Sequence, residues 1–258
     1  MTCSGGARTI LAMAPHPLDG AFERVKRAGE HIEDLHRRIL ALTDAQQRTV
    51  LDSLDPETIR DVSMDTEILP FDLNVDTVTV PLDFGVLIGE CCYNLRAALD
   101  YLIYELAIND SGRVQENTQF PIEGSQEFFS KATRSRLRGL SCAHVADIER
   151  FQPYKGCDWT SDLKAISNLD KHRKLTATPA HRLSFLFLSH QPPGAYGGPG
   201  ALGPARRVEH SSGRDVFVYF PLNLTITLSG GAPIIETLRV IKLRVAETLE
   251  AFKPEFKR

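Results

Sequence analysis

The sequence predicts a mainly α fold with a small β portion, an α+β arrangement of a central helical bundle and a small antiparallel sheet or hairpins. Three observations lead there. Apolar residues recur at three- and four-residue steps over two long stretches, beginning at Phe22 and Phe84. A third stretch of that period runs from Leu238 to Phe252. Phe, Leu, Val, Tyr and Thr concentrate instead in a few short runs of strand character. With 258 residues, 42% hydrophobic and 24% charged, the chain can bury a substantial core and has no disordered composition.

Residues 1–18 read as a loose tail of Gly, Pro and small residues ahead of a single globular domain spanning 19–258. A long amphipathic helix follows from Asp19 to Leu42, its apolar face set by Phe22, Val25, Ala28, Ile32, Leu35, Ile39 and Leu42. A second, shorter helix is expected from Thr43 to Leu54, and Asp55-Pro56-Glu57 reads as a fresh N-cap. Thr66 to Val80 changes period, with Pro70 and Asn74 as breaks, and suggests a hairpin or irregular strand pair. Pro81 to Ile108 is the strongest helix. Its stripe of Phe84, Leu87, Ile88, Cys91, Cys92, Leu95, Ala98, Leu99, Leu102, Ile103 and Leu106 covers nearly half the circumference, which predicts a well-covered helix.

After a turn at Asn109 to Gly112 comes a connector containing Phe120-Pro121-Ile122. Short helices are expected at Ser125 to Arg138 and Ala143 to Phe151, either side of a break at Gly139-Leu140. Thr160 or Ser161 is suited to cap the helix carrying Leu163, Ile166 and Leu169. Strands are expected at Leu183 to Ser189 and Val216 to Ser229, separated by a Gly/Pro-rich loop at about 192–213. Pro233 then opens the terminal helix.

Composition limits the function. A net charge of −3 gives no global basic footprint, so any polyanion site must be local. Five cysteines, an odd number with no C-x-x-C pair, point to packing roles and a reducing cytoplasm. No apolar run approaches the roughly 18 residues of a membrane span, so no membrane partner is expected. Phosphate-loop, dinucleotide and nucleophile-elbow motifs are absent, as is any His pair with metal-ligand spacing. Neither a cofactor nor a metal is expected.

Two polar stretches inside apolar helical patterns carry the candidate site: Asn94 to Tyr101 and Asn168 to Arg173. Arg96 and Asp100 form an i,i+4 pair on the face opposite the apolar stripe, together with Tyr93 and Tyr104. Asn94 and Tyr101 lie on a second flank. Asn168 and His172 share a helix side, with Asp170, Lys171 and Arg173 beside them. Facing each other, the stretches would assemble an imidazole, cations, amides and phenols, an inventory suited to an anion or phosphodiester. The alternative is a set of surface salt bridges, or a buried hydrogen-bond network that specifies packing.

Gly89 to Leu102, followed by Gln119-Phe120-Pro121-Ile122, Gln152-Pro153-Tyr154 and Asp170-Lys171-His172-Arg173, resembles a group of uncharacterised bacterial proteins in the same order along the chain. In that group histidine often stands at the position of Tyr101. The resulting Arg-x4-His pattern is similar to the signature of HEPN domains, helical bundles that include metal-independent endoribonucleases acting through the RNA 2′-hydroxyl at a dimer interface. The resemblance implies RNA and a second copy of the chain as partners, with Arg96 stabilising phosphoryl charge. Tyr101 in place of histidine leaves His172 to handle protons, because a phenol with pKa near 10 is a poor base at neutral pH. Asn94, Asp100 and Asn168 would orient them, and Tyr101, Asp170, Lys171 and Arg173 would contact substrate. Two readings follow: a HEPN-like protein that binds or cuts RNA, and a non-enzymatic interaction or regulatory protein whose polar motifs form a structural network.

Overall fold

A computed structural model describes residues 16–55, 68–70, 78–169, 175–179, 185–190, 192, 203–209, 213–228 and 232–256. Among them are helices α1 (Asp19–Ser53), α2 (Leu82–Ser111), α3 (Gln126–Arg136), α4 (Cys142–Glu149), α5 (Asp158–Leu169) and α6 (Ile234–Phe252). The strands are β1 (Ile68–Pro70), β2 (Leu175–Pro179), β3 (Phe185–Ser189), β4 (Ala205–Glu209), β5 (Asp215–Tyr219) and β6 (Leu224–Leu228). The protein is thus mainly α with a small antiparallel β portion. Two compact units share its long helices: one holds residues up to Lys26, Asn94–Ser161 and Leu243 onward, the other Arg27–Tyr93 and Asp162–Lys242.

Where the sequence predicts two helices, α1 is continuous. Its buried stripe runs from Leu18 through Ala21, Val25, Ala28, Ile32, Leu35 and Ile39, and then continues through Thr43 and Gln47 to Leu51. The two polar residues hide the stripe from a hydrophobicity pattern, yet both are paired inside. Thr43 Oγ1 donates to the Ile39 carbonyl at 2.9 Å, and Gln47 Nε2 donates to the carbonyls of Phe220 at 2.9 Å and Leu222 at 3.3 Å. Every residue of the stripe expected for α2 is buried, from Phe84 to Leu106. In the second unit the Cys91 thiol of α2 packs against α1, 3.7 Å from the Ala28 carbonyl.

The expected Val216 to Ser229 strand is two strands in two sheets. β5 lies inside the four-stranded sheet of order β1-β3-β5-β4, whereas β6 pairs with β2, a strand the sequence pattern did not indicate. The Gly/Pro-rich loop also contains structure: β4 pairs with β5 in the register Arg206 to Val218 and Val208 to Val216. From β4, Arg206 Nη1 reaches the end of α1 and donates to the carbonyls of Leu51 at 2.7 Å and Leu54 at 2.6 Å. The Leu51 carbonyl also accepts the Leu54 N–H at 3.3 Å, and a cation at this helix end adds a second donor and complements the helix dipole. Leu51, Leu186, Val208, Val216, Val218 and Phe220 form the core beneath this sheet. Of the expected hairpin at Thr66 to Val80, β1 pairs antiparallel with β3 and residues 71–77 lie outside the described residues. The 1–18 tail falls almost wholly outside them, as do Pro56 and Glu57.

In the first unit, Ser125 and Ser141 cap α3 and α4 by accepting from the backbone N–H of Phe128 and His144. Gly139, between those helices, has φ +82°, and a Cβ there would lie 2.8 Å from Gln115 Cγ, which requires glycine at the break. Helix α5 starts at Asp158, two residues before the expected cap. Thr160 instead turns its hydroxyl back to the Phe151 and Cys157 carbonyls, both at 2.8 Å. Strand and helix aromatics serve packing, with Tyr219 and Phe220 fully buried and Phe187 edge-on to Tyr219 at 6.2 Å.

Candidate functional site

The connector between α2 and α3 sets the problem that the polar motif solves. Phe120, Pro121 and Ile122 are buried although they belong to no helix or strand. Their peptide groups therefore need partners from side chains or from other backbone. Asp100 and Arg96, one turn apart on α2, supply two. Asp100 Oδ1 accepts the Phe120 N–H at 2.8 Å, and Arg96 Nη2 donates to the Phe120 carbonyl at 3.3 Å. Gln152, wholly buried, supplies the next: Nε2 donates to the Pro121 carbonyl at 2.9 Å and Oε1 accepts the Glu123 N–H at 2.9 Å. The Gln119 N–H donates to the Arg136 carbonyl at 3.1 Å. Gln119, Phe120, Pro121 and Glu123 are thus held from three helical regions.

Charge accompanies the clamp. Arg136 Nη1 pairs with Glu123 Oε1 at 2.9 Å, and both influence Arg96. Burial lowers the Arg96 pKa, opposed by the attraction of Asp100. Burial likewise raises the Asp100 pKa above the usual aspartate value, opposed by the Phe120 N–H and by Arg96 and Arg136. Desolvation outweighs pairing at both groups, as expected for charges recruited to fix backbone inside protein. Asp100 and Arg136 also line an open cleft of about 440 Å³ together with Asn117, Thr118, Gln119 and Ser135.

At about 100° per residue, Asn94 and Tyr101 project from the side of α2 roughly opposite Arg96 and Asp100. Asn94 Oδ1 accepts from Arg24 Nη1 at 3.2 Å, and the Arg24 guanidinium lies 5.8 Å from the Tyr101 ring centre. The structure therefore brings Arg96 to Asp100 and separates both from Asn94 and Tyr101. Tyr93 and Tyr104 remain on the surface. Asn168 is exposed near the end of α5. Asp170, Lys171, His172 and Arg173 lie outside the described residues.

The sequence pattern gave no role to Glu123 or Gln152, and it offered Arg136, with Arg134 and Arg138, only as a phosphate patch or a solvated helix edge. It also gave His144 no partners. The buried His144 ring sits 2.7 Å through Nδ1 from Asp110 Oδ2, which also accepts the Ser141 N–H at 2.7 Å, and 3.7 Å through Nε2 from Glu255. Among the described residues no three His, Cys, Asp or Glu side chains are placed to hold a metal, and no helix is long and apolar enough to cross a membrane. No family model, curated protein or solved structure matches the chain.

Proposed function

We propose that this chain is a non-enzymatic helical interaction protein in which the Asn94 to Tyr101 motif locks the α2–α3 connector in place. The observation that carries this reading is the engagement of Asp100 and Arg96 with the N–H and C=O of a single buried residue, Phe120. Groups committed to backbone in this way are costly to redeploy, because leaving Phe120 unpaired forfeits about 1–3 kcal/mol per group. The apolar surface of α2 in the second unit adds support. Leu82, Val86 and Tyr93 are 93%, 60% and 65% exposed and fall within about 40° of one another around the helix, the type of surface that marks contact with other molecules.

The competing reading is metal-independent RNA cleavage with Arg96 on the phosphate and His172 as the proton carrier. One experiment separates the two. The purified chain is incubated with varied single-stranded RNAs with and without EDTA, and Arg96→Ala is melted beside the wild type. The interaction reading expects intact RNA and a clear fall in the melting temperature of Arg96→Ala. Cleavage that persists in EDTA, leaves 2′,3′-cyclic phosphate ends and disappears in Arg96→Ala and His172→Ala without loss of stability would overturn it in favour of the ribonuclease.

A further inference from the structure

The cleft beside the clamp shares Asp100 with it and adds Arg136, Asn117 and Thr118. Its lining residues are all of polar type, and its two charged groups have opposite signs. Asp100 spends one oxygen position on the Phe120 N–H and another on a hydrogen bond from the Gln119 side chain. A carboxylate offers about four lone-pair positions, so acceptor capacity remains. Arg136 gives one N–H to Glu123 and keeps the rest of its five-donor fork, with the side chain 41% exposed. The Asn117 amide and Thr118 hydroxyl, at the rim, make no hydrogen bond within the described residues, and Asn117 holds a left-handed backbone with φ 61°.

The balance of charge selects the ligand class. Arg96 and Arg136 face Asp100 and Glu123, two charges of each sign acting on one another. A phosphate entering the cleft would meet Arg136 but also the Asp100 carboxylate, and a bare cation would meet Asp100 but also the Arg136 guanidinium. An apolar molecule would strip water from the Asp100 and Arg136 charges without replacing their hydrogen bonds. A ligand bearing both signs matches each wall: a carboxylate suits the planar guanidinium of Arg136, and an ammonium donates to Asp100.

We infer that this cleft is a binding site for a small zwitterion, an α-amino acid or the equivalent pairing of ammonium and carboxylate, held between Asp100 and Arg136. Asn117 and Thr118 supply the remaining hydrogen bonds at the rim. The site shares Asp100 with the clamp and draws on the acceptor positions that the Phe120 N–H leaves open.

The test uses the full chain and NMR titration with alanine, N-acetylalanine, alaninamide and inorganic phosphate at millimolar concentration. Alanine should shift the Arg136 and Asn117 side-chain signals. Each blocked derivative should bind at least about tenfold more weakly, because each removes one charge-assisted pair. Arg136→Gln should weaken alanine binding by a similar factor. So should Asp100→Asn, which retains an oxygen for the Phe120 N–H. Where a variant does not fold, the comparison of alanine with its blocked derivatives on the wild type still decides. Absence of any shift with alanine, equal binding of the blocked derivatives, tighter binding of phosphate, or undiminished binding in folded Arg136→Gln would each overturn the proposal.

Discussion

Truncating Gln152 is the sharpest perturbation of the clamp. Its amide is wholly buried and makes three hydrogen bonds, to the Pro121 and Ile148 carbonyls and from the Glu123 N–H. In Gln152→Ala the Ile148 carbonyl keeps the Phe151 N–H at 3.2 Å, but the Pro121 carbonyl and the Glu123 N–H lose their Gln152 partner. Two buried backbone groups at about 1–3 kcal/mol each, partly relieved by water entering the space, give a loss of roughly 3 kcal/mol. That is a large part of a typical stability of about 5–15 kcal/mol. Urea unfolding followed by circular dichroism should show a lower midpoint with an unchanged slope. Gln152→Glu should fare no better, since a carboxylate cannot donate to the two carbonyls and adds a buried charge. A Gln152→Ala loss within about 0.5 kcal/mol, the range of ordinary surface substitutions, would refute the reasoning.

Asp100→Asn should alter the pH dependence of stability in a set direction. The folded-state pKa of Asp100 is raised, chiefly by burial, so its contribution is fully present below the unfolded value and is lost as pH rises through the folded one. The wild type should therefore gain on Asp100→Asn between pH 7 and pH 4 in paired urea titrations, and a relative loss would contradict the desolvation account. Among the described cysteines, native labelling with a thiol reagent should modify exposed Cys142 first and leave Cys91 unreacted, whose thiol burial pushes up to about 12. Mass spectrometry that finds Cys91 modified before Cys142 in the folded protein would contradict its placement against α1.

The helices were legible wherever burial and apolarity coincide. Every residue of the expected α2 stripe is buried, with Ala107 and Asn94 buried beyond it, whereas α1 was cut short because Thr43 and Gln47 occupy its buried face. Strand β4, Ala205-Arg206-Arg207-Val208-Glu209, is hidden by the opposite effect: an edge strand with one buried residue and flanking glycines has little apolar alternation to show. Pro221 and Asn223 lie where the run of β character divides between two sheets, a division that alternation alone does not encode.

The site was half visible for a related reason. Arg96 and Asp100 were recognisable as a pair because helical spacing is written in the sequence. Their target was not, since the N–H and C=O of Phe120 are common to nearly all residues. Gln152 gave no periodic signal at all. In the structure the α2 motif, the Gln119 to Ile122 connector and Gln152 meet in one clamp.

The central claim, that the α2 motif exists to hold Phe120, is tested most directly by amide hydrogen exchange at that one residue. In the wild type the Phe120 N–H should be strongly protected, because it is buried and bonded to Asp100 at 2.8 Å. Asp100→Asn should preserve much of that protection and Asp100→Ala should abolish it, with neighbouring α2 amides less affected. Equal protection of Phe120 in the wild type and in folded Asp100→Ala would show that the carboxylate is not what holds the connector, and would return Asp100 and Arg96 to the pool of residues free for catalysis.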